Sequence, residues 1–242
     1  RRLQGRQPPQ PSSLALSRIP PERGFRGVSF FGLPFFGSRR ECLKRYRTGP
    51  WLHLLLALAA TWPMVLHPFS RMVGHPDADV WNHAWGPWGF WETLRQGDLP
   101  WRCDWLFAPE GGTLWFIDPL GAIVGALLVP LLGIAGAWNA VVIAGVTATS
   151  WAAKLLSTRV TGPGHHTWIA SLALVFGPYM IGELHNGISE AMLLAPGLLS
   201  LALAHTALTQ GGLRSWLQVG GALALTTLGS PYYALAALLA IV

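Results

Sequence analysis

From Trp51 onward the chain is a succession of apolar runs, at 51–69, 117–136, 137–157, 167–182, 188–208, 215–230 and 231 onward. A bilayer-crossing helix needs about 20 apolar residues, and a helix satisfies its own backbone polar groups inside hydrocarbon. Composition agrees with such runs: 12% of residues are charged and 51% hydrophobic, against roughly 25% charge in a soluble domain. The expected fold is an all-α polytopic transmembrane helix bundle. The first residue is Arg, and the last run, Pro231–Val242, is too short to span. The chain therefore reads as the N-terminal part of something longer.

Charge sets the orientation. Residues 1–50 hold eleven Lys/Arg against two Glu, a net of +9; residues 51–242 hold six against nine acids, a net of −3. A basic, Pro-rich segment with few aliphatics cannot build a core, so 1–48 is expected to be a disordered basic cytoplasmic tail and 49–242 the helical domain. Nucleic-acid binding does not fit, because the arginines are dispersed and the Arg39–Arg47 cluster abuts the first apolar run. That placement marks a cytoplasmic flank. A cleavable signal peptide would have a shorter apolar core, so the segment reads as a retained anchor. The expected location is the cell inner (plasma) membrane, multi-pass, with a cytoplasmic N-terminus and the bilayer as a partner.

If 51–69 is the first span, 70–115 emerges outside. Placing Lys154, Arg159 and Arg214 with Arg47 inside requires two crossings between Arg47 and Lys154, yet three runs are present. The weakest is 117–136, with Asp118, Pro119, Pro130 and four glycines; proline interrupts the helical ladder. It is expected to be re-entrant or juxtamembrane. Glu183 to Glu190 and Ser230-Pro231-Tyr232-Tyr233 then lie outside. Cys42 and Cys103 fall on opposite sides and cannot pair. Glycines 133, 136, 145, 220 and 221 let helices approach closely. No convincing internal repeat is present.

The stretch GHPDADVWNHAWGPWGFW, residues 74–91, is the densest in chemistry. Trp81, Trp85, Trp88 and Trp91 share one helical face and predict a juxtamembrane helix over 79–96 at headgroup level, with Pro87 tolerated as a kink. Asp79 or Asp77 can cap it; the other carboxylate is unexplained, and acids at a membrane boundary are functional candidates. Glu183 and Glu190 frame an Asn-Gly turn, with His185 and Asn186 between them, on the same outer face as Asp118. An ordinary polar loop also accounts for them. Several carboxylates and amides facing one cavity can bind a hydroxyl-rich acceptor and activate one hydroxyl by general-base catalysis.

These motifs carry a resemblance. Thr61-Trp62-Pro63 closing the first run, an Asp and Trp-rich sequence after it, Ala108-Pro109-Glu110-Gly111-Gly112, Trp138-Asn139 starting a span, Phe176-Gly177-Pro178-Tyr179, Asn186-Gly187 with Glu190, and Pro231-Tyr232-Tyr233 follow one another in order. The chain from about residue 51 resembles bacterial polytopic glycosyltransferases of the GT-C superfamily. The resemblance implies juxtamembrane helices in the first outer loop, a catalytic acid there, and a polyprenyl-phosphate-linked sugar as donor to a glycan, lipid or protein acceptor. It places catalysis on Asp79, with Asp77 its competitor. His83, Asp118, Glu183, His185, Asn186 and Glu190 become substrate contacts. The phosphate-gripping outer loop of the family lies beyond residue 242.

Some members of the superfamily use a divalent metal, and Asp79 with His83 one turn on has the spacing to share one. His83 also reads as an interfacial imidazole bonded to Asp79 or water, and no metal ligand is assigned. His165-His166 reads as a solvated turn on the cytoplasmic side. A transporter or flippase, or a catalytically silent membrane subunit, are the competing classes.

Overall fold

The computed structural model describes residues 49–100, 102–104, 108–113 and 118–242, with Cys103 and Thr113 as backbone only. The basic tail of 1–48, with its expected disorder and Cys42, lies outside the described residues. Among the described residues there are nine α-helices: α1 (Gly49–Ala60), α2 (Val80–Arg95), α3 (Pro119–Thr161), α4 (Thr167–Val175), α5 (Pro178–Asn186), α6 (Ser189–Met192), α7 (Ala195–Gln210), α8 (Leu213–Gly229) and α9 (Pro231–Ile241). A two-residue antiparallel ladder, β1 (Arg102–Cys103) with β2 (Gly112–Thr113), pairs Arg102 with Thr113. The domain is otherwise all-α.

Three segments are long and apolar enough to cross a membrane: Pro119–Thr161, Thr167–Asn186 and Ser189–Gln210. Shorter apolar helices cover Pro50–Ala60 and Pro231–Ile241. The first run departs from expectation. Its helix stops at Ala60, not Phe69, and Pro63 just beyond has no N–H to donate into the ladder. Residues 61–79 then form turns around a short 3-10 helix at Met64–Leu66.

Helix α3 is not straight. Gly133 has φ 69° and ψ 176° inside it, a conformation open to glycine. A Cβ on Gly125 would stand 3.4 Å from the Val141 side chain, although eight residues separate each from Gly133. The two arms therefore run back along each other as a helical hairpin. The first arm, Pro119–Leu132, is ~21 Å long and the second, Ile134–Thr161, ~42 Å, at 1.5 Å per residue. The break thus falls at Gly133 rather than at the prolines: Pro119 occupies the first turn and Pro130 sits within the first arm. Trp138 and Asn139, expected at the start of a span, stand inside the second arm.

Those two residues hold the α1–α2 connection. The Asn139 side chain donates to the Pro68 and Arg71 carbonyls, both at 2.6 Å, and accepts from the Val73 amide at 3.0 Å. The Trp138 indole donates to the Val73 carbonyl at 2.8 Å. Trp138 itself is buried in the main core with Ala57, Val80, Val146, Met180 and Met192. Buried hydroxyls elsewhere, such as Thr93 and Thr226, donate to the carbonyl four residues back, which satisfies them without a distant partner.

Helix ends follow local chemistry. Asp118 accepts from the Gly121 amide at 2.8 Å ahead of Pro119, a side-chain cap with proline in the first turn. Helix α5 starts at Pro178 and ends on Gly187, whose φ of 76° is left-handed. Pro231 opens α9. Two polar regions lie along the bundle. His53 and the start of α4 meet α3 near Ser150 at one. At the other, Gly187 meets Val80 of α2.

Candidate functional site

The site is built where α2, the Asp118 turn, α5–α6 and the start of α9 converge. Close approach fixes the junction of the first and third. A Cβ on Gly187 would come within 2.5 Å of the Val80 side chain, and one on Gly74 within 2.7 Å of it. The His75 amide donates to the His185 carbonyl at 2.6 Å, and their rings lie 5.1 Å apart. Pro87, inside an uninterrupted α2, packs on the hairpin: a Cβ on Gly125 would meet its ring at 2.7 Å.

Asp77 and Asp79 are both exposed in the turns that lead into α2. Asp79 occupies the N-cap position but makes no side-chain cap bond; instead its Oδ1 accepts from the Asn82 side-chain Nδ2 at 3.2 Å. The capping expectation is corrected: the side-chain cap forms at Asp118, where the following proline fixes the first turn. Asp77 lies 3.8 Å from His75.

His83 is buried, not interfacial, and its Nδ1 lies 3.1 Å from the Ser189 hydroxyl rather than bonding Asp79. Burial holds its pKa below the usual 6.5, opposed by the Asp79 charge. Among the tryptophans, Trp81 is exposed and donates to the Pro76 carbonyl at 2.9 Å; Trp85, Trp88 and Trp91 are half-buried. The buried face of α2 is built instead from Val80, His83, Ala84, Gly86, Pro87, Gly89 and Thr93. Small residues let α2 approach the hairpin, and the large rings flank that contact.

Asp118 is 6% exposed. Burial raises its pKa to about 6, opposed by the Gly121 amide and the nearby Ser189 hydroxyl and reinforced by the Glu190 charge. Its Oδ2 has no hydrogen-bond partner among the described residues, and the same holds for Glu183 Oε2, Glu190 Oε2 and Ser230 Oγ, all four buried. Glu183 and Glu190 lie on α5 and α6, separated by the Gly187 turn, rather than in an open loop. Asn186 is half-buried and His185 exposed. The Tyr179 and Tyr233 hydroxyls hydrogen-bond each other beside them. No group of three or more His, Cys, Asp or Glu among the described residues is placed to hold a metal ion.

The structure thus brings Asp118, Glu183, Glu190 and His83 together and leaves Asp77 and Asp79 at the surface of the same end. Sequence reading missed Ser189 and Ser230. Ser189 directly precedes Glu190, and Ser230 precedes Pro231, but only folding puts them against His83 and Glu190. It also missed a second polar node. There His53, 1% exposed, meets the Ser150 hydroxyl at 2.7 Å and stacks on Trp168 at 4.6 Å, with Lys154 Nζ 3.8 Å from the same ring. His165 and His166 are exposed, and His166 Nε2 lies 2.9 Å from the Thr161 hydroxyl.

Fold and site define a class, an all-α bundle with membrane-length apolar helices and an acidic, tyrosine-flanked end. No family model, no curated protein and no solved structure matches the chain.

Proposed function

We propose that the chain carries part of a GT-C-type integral membrane glycosyltransferase. It moves a sugar from a polyprenyl-phosphate donor to a hydroxyl on a glycan, lipid or protein acceptor, at the outer face of the inner (plasma) membrane. The observation that carries this reading is the gathering of Asp118, Glu183 and Glu190, each with a buried, unpartnered carboxyl oxygen, at the end where α2 presents Asp77 and Asp79. Lys154, beside His53 and Trp168, and Arg159 further along the second arm of α3 support a cytoplasmic placement of the end of α3.

Asp79 is exposed, so an acceptor can reach it. As the acceptor oxygen attacks the anomeric carbon, Asp79 takes its proton. The bond from that carbon to the phosphate oxygen breaks, and its electron pair leaves with the polyprenyl phosphate. General-base catalysis of this kind contributes about 10²–10⁴-fold. Glu183, His185, Asn186 and Glu190 accept or donate hydrogen bonds to sugar hydroxyls, while His83 and Asp118 fix α2 and the hairpin behind them.

The test uses the full-length protein in proteoliposomes with a polyprenyl-phosphate sugar and acceptor. Asp79→Asn is expected to lower transfer at least 100-fold and Asp77→Asn far less. Wild-type transfer by both variants at normal expression would overturn the assignment.

One observation favours a second reading, transport. All three membrane-length segments are interrupted, at Gly133, at Phe176-Gly177 and at Leu193-Leu194, and discontinuous helices line transporter binding sites. Movement of the lipid-linked sugar across vesicles without transfer would select that reading.

A further inference from the structure

Helices α3, α4 and α7, which supply parts of all three membrane-length segments, leave an open groove of about 420 Å³ between them. Ala153 and Leu156 form one wall, Ala170, Ala173 and Leu174 the second, and Leu198 the third, with Ser157 the single polar contributor. Alanines at three of these positions keep the helices from filling it.

The groove has a charged neighbour. Lys154 follows Ala153 directly and stands one turn before Ser157; Trp168 is two residues before Ala170. Lys154 Nζ is held 3.8 Å from the Trp168 ring centroid, and His53, anchored by Ser150, stacks on the same ring. No carboxylate pairs with Lys154 among the described residues. A cation fixed in place beside an apolar channel matches an amphiphile with a negative head and an alkyl tail. Cationic side chains between membrane helices take anionic lipid headgroups in this way.

We propose that this groove is a binding site for an anionic glycerophospholipid. One acyl chain lies along Ala153, Ala173 and Leu198, and the headgroup phosphate pairs with Lys154 over Trp168. The site is independent of the acidic end and needs no catalytic activity.

The test is native mass spectrometry of the full-length protein in detergent, titrated with phosphatidylglycerol or phosphatidylcholine of identical chains. Wild type is expected to retain phosphatidylglycerol at least fivefold better. Lys154→Gln should abolish that preference and Lys154→Arg keep it. Ala173→Phe, which fills the groove, should reduce retention of both lipids. Equal retention of the two lipids by wild type would overturn the proposal. So would a Lys154→Gln or Ala173→Phe protein, folded by circular dichroism, that binds phosphatidylglycerol as wild type does.

Discussion

The Nδ1 of His83 lies 3.1 Å from the Oγ of Ser189, joining two residues 106 positions apart and tying α2 to the turn that carries Glu190. Both residues are buried. Removing either leaves a buried polar group without its partner, at a cost of about 1–3 kcal/mol. His83→Ala and Ser189→Ala are each expected to lower the thermal midpoint in detergent. The double variant should cost less than the sum, since the second substitution removes an already orphaned group. Strict additivity would mean that the contact contributes nothing.

Asn139 offers a sharper case. One side chain satisfies three backbone groups of residues 68–73, and Asn139→Leu leaves them without it. Destabilisation of about 2–4 kcal/mol is expected from bonds worth about 1 kcal/mol each plus the orphaned Val73 amide. Trp138→Phe loses only the indole bond to Val73 and some volume, and should cost about 1–2 kcal/mol. Limited proteolysis at 61–79 should accelerate in both variants; an unchanged cleavage rate in Asn139→Leu would contradict the anchoring role.

Gly125 and Gly187 mark contacts with no room for a side chain. Gly125→Ala drives a methyl into Pro87, and overpacking of this kind costs about 1–3 kcal/mol. Gly187→Ala adds a left-handed φ of 76° to a clash with Val80 and should cost more. Thermal unfolding of the two variants beside Gly220→Ala, where a Cβ meets open space, separates the contact from simple glycine loss.

The acidic end should respond to pH. Asp118 titrates near 6 in the fold against an ordinary 3.8, so the folded state binds the extra proton between those values. Its contribution to stability is present below about 3.8 and is lost as pH rises through 6, by about 2–3 kcal/mol at 1.36 kcal/mol per unit. His83 works the other way: its lowered pKa means that stability present above 6.5 is lost as pH falls. Asp118→Asn keeps a capping side chain and should flatten the loss on raising pH from 4 to 7, while His83→Gln should flatten the loss on acidification. An unchanged profile in Asp118→Asn would place the titration elsewhere.

The sequence alone determined the helical class, since run length and the lack of charge leave the backbone to satisfy itself. It also placed α2 within a residue at each end, because its aromatic spacing is a local signal. Run length overstates α1, which ends at Ala60, and the composition of 117–136 signals a break without saying whether a proline or Gly133 makes it. A proline announces a break, whereas a glycine turns the chain only if tertiary packing of the two arms stabilises the turn. The same distinction governs the site. Which acids exist, and that Glu183 and Glu190 flank a turn, is written in the chain. That Asp118 is buried while Asp79 is exposed, and that Ser189 meets His83 across 106 residues, depends on α2 seating on the hairpin through Pro87 and Gly125. Burial and long-range contact are properties of packed surfaces, and no local residue pattern encodes them.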